Sequence, residues 1–147
     1  MTALAVRVDG IPRPQGSKNV GRNGGVYEAS AALGPWRDAI AWRTRQELRG
    51  AVTYAGTGPV AVDVVFWLPR PVKHYGSGPN TNRVLPSAPR FPTGRPDVDK
   101  LARAVLDGLA VGGAYAEDKQ VVRLTASKRY VVARPDSPCA FIVVTRI

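Results

Sequence analysis

The chain of 147 residues has a formal net charge of +10, from 21 Lys and Arg residues against 11 Asp and Glu residues. Its single Cys and single His exclude a disulfide framework and a Cys/His zinc site, and no apolar run approaches the ~20 residues of a membrane helix. Without a signal-peptide pattern, we expect one cytoplasmic domain over residues 1–147 that has no membrane partner and binds a polyanion, chiefly nucleic acid.

The first predicted element is a strand over residues 3–9, where apolar side chains alternate with others. A loop rich in glycine, proline and basic residues is predicted next, over residues 10–25. One hypothesis treats it as an ordinary mobile connection. The other expects Arg13 and Lys18 to bind DNA phosphates.

An amphipathic helix is predicted over residues 35–49, because Pro35 suits a first helical turn. Its predicted inner stripe consists of Trp36, Ile40, Thr44 and Leu48. The clearest strand covers residues 59–68, where every second residue from Val60 to Leu68 is apolar.

A long segment without regular periodicity covers about residues 69–96 and contains no acidic residue. Loops of this length inside a compact domain are commonly functional or disordered. We expect a flexible basic arm that follows DNA phosphates and becomes ordered on binding. Its predicted DNA-binding residues are Lys73, Arg83, Arg90 and Arg95. His74 has no obvious partner and is not predicted to be catalytic.

Acidic residues are concentrated directly after this segment. Asp97 and Asp99 are two residues apart, which puts both carboxylates on one side of an extended chain and suits a divalent cation site. A helix is predicted to follow, with Asp99 as a candidate N-cap, a buried stripe at Leu101, Val105 and Leu109, and an end at Gly112–Gly113.

Two more acids, Glu117 and Asp118, precede the next predicted strand, so Asp97, Asp99, Glu117 and Asp118 are expected to converge. Asp99, Arg103 and Asp107 form a polar row at helical spacing. Hard oxygen ligands favour Mg²⁺ or Mn²⁺. Any one of these acids is more often a helix cap or a solvated turn residue, and only their concentration favours a metal site.

Two further strands are predicted over residues 120–132 and 139–146. In the first of these, Val122, Leu124 and Ala126 are expected to face inward, and Arg123 is expected to face outward towards DNA. The element order indicates an α/β (α+β) fold with a mixed four-stranded sheet and two helices packed on it.

Two strings in the acidic region resemble the RusA family of Holliday junction resolvases. Residues 97–109 read D-V-D-K-L-A-R-A-V-L-D-G-L and residues 117–121 read E-D-K-Q-V, where the family has approximately D-x-D-N-L-x-K-x-x-x-D-x-L and then D-D-x-Q-V. The G-I-P-R-P-Q-G-S-K of residues 10–18 and the P-W-R-D-A of residues 35–39 also look like family features.

The resemblance implies a RusA-like fold and assigns roles by position. Asp97, Asp99 and Asp118 would be metal-binding catalytic aspartates, and Glu117 would replace the first acid of the downstream pair. Arg103 stands at the position of the functional lysine, and Lys100 stands where the family usually has asparagine, among the residues expected at the DNA.

The predicted function is a Mg²⁺-dependent structure-selective endodeoxyribonuclease that nicks four-way junctions symmetrically as a homodimer. The resemblance also suggests a phage setting, hence a host cytoplasm. Two alternatives stay open: a catalytically silent junction or nucleic-acid binder, and a non-specific metal-dependent nuclease. A nicking assay on a synthetic junction, with magnesium or with EDTA, separates the three.

Overall fold

The computed structural model describes residues 3–16, 18–20, 26–28, 31–132 and 137–147. In chain order its elements are β1 (Ala3–Asp9), β2 (Lys18–Val20), β3 (Val26–Glu28), α1 (Leu33–Glu47), β4 (Val60–Leu68), α2 (Val98–Gly112), β5 (Val121–Tyr130) and β6 (Cys139–Arg146). The predicted α/β (α+β) fold with a mixed four-stranded sheet and two helices is confirmed. None of the described helices is long and apolar enough to cross a membrane.

The main sheet has the strand order β1-β6-β4-β5. β4 and β5 are parallel, and the two other pairings are antiparallel. A parallel pair requires a crossover connection, and α2 lies in the crossover between β4 and β5. The predicted metal-binding acids therefore all belong to this single β4–α2–β5 unit.

The core lies between one face of the sheet and both helices. Alternate residues of the three strands β1, β4 and β6 point into it, namely Leu4, Val6, Val8, Val60, Val62, Val64, Phe66, Leu68, Ala140, Ile142 and Val144. The predicted stripes of both helices are buried there as well. Among the described residues no helix covers the opposite face of the sheet, and Arg7 and Phe141 are exposed on it.

The two helices approach each other closely at two glycines of α2. A Cβ atom at Gly108 would lie 2.7 Å from Cγ2 of Ile40, and one at Gly112 would lie 2.6 Å from Cβ of Thr44. Only residues without a side chain fit at these two positions. The close contact therefore joins the second half of α1 to the last two turns of α2.

The predicted loop over residues 10–25 is wrong in part. β2 lies inside it and pairs antiparallel with β3, with Lys18 opposite Glu28. Strands of three residues are too short to produce a detectable alternation. The remaining basic residue of the loop, Arg22, is outside the described residues.

The strand predicted over residues 120–132 begins one residue later and has a different inward residue at its start. Asp118–Gln120 form a 3₁₀ turn, and a register irregularity follows where Val60 pairs with Val121 but Ala61 pairs with Arg123. Val121 consequently packs on the core, and Val122 is 63% exposed. Leu124 shares the core face as predicted but is partly exposed, because β5 is an edge strand.

The segment over residues 69–96 contains only two short 3₁₀ turns, Val72–His74 and Gly78–Asn80. It is attached to the domain at several points, among them the hydrogen bond from Lys128 Nζ to the carbonyl oxygen of Gly94 (2.6 Å). Its flexibility stays a prediction. The expectation that His74 has no partner is wrong: the residue is buried, lies 3.4 Å from Arg70 Nη1, and contacts the Tyr130 ring edge-on.

Candidate active site

Two carboxylates from different elements of the crossover unit meet in a surface cavity. Asp107 lies in the third turn of α2 and Asp118 lies in the 3₁₀ turn before β5, and their side chains are hydrogen-bonded to each other. The cavity has a volume of about 520 Å³ and is lined by Gln15, Gly16, Arg103, Leu106, Asp107 and Asp118. We call Asp107 and Asp118 the pocket pair.

The surroundings of Asp118 raise its pKa above the ordinary value of an aspartate. Partial burial raises the pKa of Asp118 to about 6, together with the hydrogen bond to Asp107 and the negative charge of Asp107. Because the negative charge of Asp107 disfavours the ionised form of Asp118, a cation held between them would offset the repulsion between the two carboxylates.

The position of Asp118 depends on Gln120, which is buried two residues further on. The Oε1 atom of Gln120 accepts hydrogen bonds from the backbone N–H groups of Ala116 (2.7 Å) and Glu117 (2.8 Å). Its Nε2 atom donates to the carbonyl oxygens of Gly56 (3.0 Å) and Gly58 (2.9 Å). Gln120 therefore fixes the 3₁₀ turn that carries Asp118 to the loop before β4.

Asp107 is oriented by a chain of hydrogen bonds that begins on the other helix. Nη1 of Arg37 donates to Oε1 of Gln15 (3.1 Å), and Nε2 of Gln15 donates to Oδ2 of Asp107. The backbone N–H of Gln15 also donates to the carbonyl oxygen of Lys100 (2.9 Å). Gln15 is thus held at both ends, and one oxygen of Asp107 is occupied by its amide.

A buried tyrosine lies below the two acids. The hydroxyl group of Tyr115 donates to the carbonyl oxygen of Leu106 (2.8 Å). Burial raises the pKa of Tyr115, and the charges of Asp118 and Asp107 raise it further. Tyr115 is therefore neutral and supports the turn between α2 and Asp118.

Arg103 is the cation of this cavity. It lies one helical turn before Asp107 on the same face of α2, and its Nη1 atom occupies the space that a Cβ atom at Gly16 would need, 2.5 Å away. Gly16 also has φ +122°, a backbone conformation that L side chains rarely adopt. A glycine at this position therefore lets the backbone lie directly against the guanidinium group.

The two aspartates predicted from their spacing, Asp97 and Asp99, do not line this cavity. We call them the helix-start pair. Asp97, not Asp99, is the residue that precedes α2, and its side chain makes no capping hydrogen bond. Asp99 lies inside the first turn, so the assumption of an extended chain through both residues is wrong. Both are exposed, and Oδ2 of Asp97 is 3.5 Å from Nζ of Lys100.

The helix separates the two pairs. Asp99 and Asp107 are eight residues apart, which corresponds to about 12 Å along a helix axis. Within the described part of the chain, no group of three or more Asp, Glu, His or Cys residues is close enough to hold one metal ion. The expected convergence of all four acids is accordingly not seen there.

The neighbours Glu117 and Asp118 have different surroundings. Asp118 lines the cavity, whereas the exposed carboxylate of Glu117 pairs with Nζ of Lys119 at 2.9 Å. Both Glu117 and Lys119 are well exposed, and such ion pairs contribute little to stability.

The predicted DNA-binding residues occupy several parts of the surface. Arg13 and Arg95 line a cleft of about 350 Å³ whose other walls are mostly prolines. Lys73, Arg83, Arg90 and Arg123 are exposed, and Lys100 is half-buried beside Asp97. For Lys18 the described structure gives only the backbone, which lies in β2.

Three residues of the site were not predicted from the sequence. Gln15 and Arg37 orient Asp107. Asp107 itself matches an acid of the family pattern and belongs to the polar row, but it was assigned no metal-binding or catalytic role. The spacing of Asp99, Arg103 and Asp107 was the available signal, because it places Arg103 and Asp107 on one helical face. Gln15 and Asp107 are 92 positions apart, and no local pattern connects them.

The family model for endodeoxyribonuclease RusA matches residues 9–136 of the chain. The match covers most of the chain and includes every residue that lines the cavity. No curated protein matches at a significant level.

Proposed function

The chain belongs to the RusA family of endodeoxyribonucleases, and we propose that it is a Mg²⁺-dependent nuclease that resolves Holliday junctions by paired symmetric nicks. The observation that supports this most directly is the pocket pair, which faces Arg103 in an open cavity of a strongly basic protein.

The residues of the cavity suit a divalent cation. Asp107 and Asp118 are hard oxygen donors from two different elements, and a cation between them would offset the charge repulsion that helps to raise the pKa of Asp118. Asp107 and Asp118 would hold Mg²⁺, or Mn²⁺ in its place. When bound, the metal activates a water molecule and stabilises charge on the scissile phosphate and the leaving oxygen.

The protein's own side chains would neutralise the charge of the phosphate and orient the metal ligands. Arg103 supplies a fixed positive charge for the phosphate, and Gln15 keeps one oxygen of Asp107 turned away from it. We keep Asp97 and Asp99 in the proposal because the family resemblance assigns them to the metal. They lie on the turn of α2 before Arg103, where a phosphate bound by Arg103 would reach towards them. Glu117 is the weakest member of the proposed set, because it pairs with Lys119.

A nicking assay tests this function. The protein is incubated with a synthetic four-way junction, a duplex of the same sequence and an RNA duplex, each with magnesium or with EDTA. Paired nicks confined to the junction and to magnesium support the proposal. Binding without cleavage supports a silent binder, and equal cutting of all three substrates supports a non-specific nuclease.

Paired nicks also require two sites. The described chain offers one such cavity, and a four-way junction has two-fold symmetry, so a two-fold homodimer matches the substrate. Light scattering of the junction complex is expected to give two chains for each junction. A single chain on each junction would contradict the homodimer.

A further inference from the structure

A second cleft, separate from the pocket pair, combines aromatic rings with arginines. It has a volume of about 280 Å³ and lies between the ends of β4 and β5 and the segment that follows β4. Its rings and guanidinium groups come from Trp67, Phe91, Tyr130, Arg70, Arg90 and Arg129. We call it the arginine–aromatic cleft.

Each ring of the cleft has a guanidinium group at its face. The Cζ atom of Arg70 lies 4.6 Å from the centre of the Tyr130 ring, Arg90 lies 5.2 Å from Phe91, and Arg129 lies 5.9 Å from Trp67. Guanidinium groups and aromatic rings therefore alternate along one concave surface. Such a surface offers stacking area and positive charge at the same time.

The arginines of the cleft differ in how they are held. Arg70 donates from Nη1 to the carbonyl oxygen of Pro89 (2.8 Å) within its own segment, and from Nε to the carbonyl oxygen of Val131 (3.4 Å) just after β5. Among the described residues, neither Arg90 nor Arg129 pairs with a carboxylate, and no acid lines the cleft. Two positive charges therefore stay available for an anionic ligand.

The charge argues against a second copy of this chain as the occupant. In a two-fold dimer whose axis passes through the cleft, three arginines would face three arginines without an acid between them. Phe91 is 57% exposed and lies with Trp67 and Tyr130 in one concave surface, which makes an aromatic patch and not a single exposed ring. A ligand with flat apolar faces and negative charges fits both observations.

Nucleic acid has both properties, but only where its bases are unpaired. In a duplex the base faces are stacked on each other, and a protein ring cannot reach them without opening the stack. We propose that the arginine–aromatic cleft binds unstacked bases of a DNA strand, with Arg90 and Arg129 on the flanking phosphates. The inference rests on the proposed function and names the part of the branched DNA that this surface recognises.

The position of the cleft connects it with the active site. Tyr130 also lines the proline-rich cleft that contains Pro14 and Pro96. Pro14 precedes Gln15 of the cavity, and Pro96 precedes the helix-start pair. Nζ of Lys128 holds the carbonyl oxygen of Pro96 at 2.9 Å, which joins this region to β5. A strand that leaves the site along these two clefts meets the three rings.

Fluorescence anisotropy in EDTA tests the inference without cleavage. The probes are a labelled single-stranded oligonucleotide of mixed sequence and an abasic oligonucleotide of the same length, which has the phosphates but no bases. The proteins are the full chain, Phe91→Ala, and the control Val72→Ala. Val72 is 74% exposed in the same segment and lies outside the cleft.

The wild type is expected to bind the intact oligonucleotide at least about fivefold more tightly than the abasic one, because stacking on an aromatic ring stabilises each base. Phe91→Ala is expected to remove this difference, and Val72→Ala to keep it. Arg90→Gln should instead weaken both probes equally and make the salt dependence shallower by about 0.7 in log K against log salt.

Three results would overturn the inference: equal binding of both probes by the wild type, an unchanged difference in Phe91→Ala, or a dimer that becomes a monomer in Phe91→Ala. A loss of the dimer in Phe91→Ala would show that the cleft binds a second copy of this chain. Junction nicking by the same proteins separates this failure from that of the proposed function. A wild type that discriminates between the probes but nicks no junction would reject only the proposed function.

Discussion

The pocket pair and the helix-start pair are both made of two aspartates, but the protein holds them in different ways. Asp107 and Asp118 are 11 positions apart, touch each other and are fixed by Gln15 and Gln120. Asp97 and Asp99 are near neighbours in sequence, yet both are exposed, and their one ion pair is the half-exposed contact with Lys100. Two acids that are close in sequence do not by themselves form a rigid site. A site becomes rigid when neighbouring side chains hold its ligands in place.

Because the two pairs are held differently, we expect them to have different roles in catalysis. A pair that is held by neighbouring side chains can bind a cation without further ordering of its own side chains. An exposed pair at a helix start has to be ordered by something else, and a DNA phosphate bound by Arg103 is the natural partner. We therefore expect the pocket pair to dominate metal affinity and the helix-start pair to matter once DNA is present.

The largest effect is expected for Asp118→Asn, where the geometry and the family resemblance agree. The amide keeps the shape but removes the charge, and the nicking rate should fall by more than about 100-fold. Single-turnover nicking across magnesium concentrations measures this. Glu117→Gln is the neighbouring control and should lose less than tenfold. If Glu117→Gln were inactive and Asp118→Asn active, the metal ligand would have to be reassigned from Asp118 to Glu117.

Asp97→Asn and Asp99→Asn test the role of the helix-start pair. Each should reduce nicking about 100-fold while junction affinity is unchanged or tighter, because a negative charge beside the phosphates is removed. Calorimetric Mg²⁺ affinity without DNA should change in Asp107→Asn but not in these two variants. Near-wild-type nicking by Asp97→Asn and Asp99→Asn would restrict the site to the pocket pair.

Gln15→Leu should weaken the pocket pair without touching the helix-start pair. Loss of the amide frees Asp107 and leaves Arg37 without its acceptor, so nicking should fall about 10- to 100-fold. The magnesium concentration for half-maximal rate should rise, which a purely structural role would not cause. Gln46→Leu is the control, because Gln46 is an exposed glutamine of α1. An unchanged magnesium requirement would reject the positioning role.

The smallest effect is expected from the helix contact behind Asp107. In Gly108→Ala the new methyl group would meet Ile40, and we expect a loss of about 1–3 kcal/mol in the free energy of unfolding. Gly34→Ala is a matched control, because a Cβ atom there meets nothing within 4 Å and the backbone needs no positive φ. That variant should be about 0.5–1 kcal/mol more stable than the wild type. Urea unfolding of both variants measures the difference.

The main elements of the fold were predictable because their burial is periodic. β1, β4 and β6 bury about every second residue and were predicted within one residue at each end, and the three residues predicted for the stripe of α2 are all buried. β2 and β3 are too short to show a period. The exposure of Val122 follows from the register irregularity at the start of β5, which depends on β4 and not on the local sequence.

The site was predictable only where its residues are adjacent in sequence or match the family pattern. Asp118 and Arg103 were identified by that pattern, and both line the cavity. The contact between Asp107 and Asp118 depends on how the chain turns after Gly113, which has a left-handed conformation with φ 95°. The contact with Gln15 depends on a loop far away in sequence. Neither contact can be predicted from the spacing of residues in the sequence.

The pairing of β1 with β6 places the first and the last strand of the main sheet side by side. Ala3 lies opposite Thr145, so the two ends of the main sheet's chain run side by side at an edge far from the turn at Thr81. A circular permutant, joined by a short linker at the old ends and opened in that exposed turn, would keep every pairing of the four-stranded sheet. It would supply Asp107 and Asp118 before Gln15 and Arg37, and their contacts would be the same.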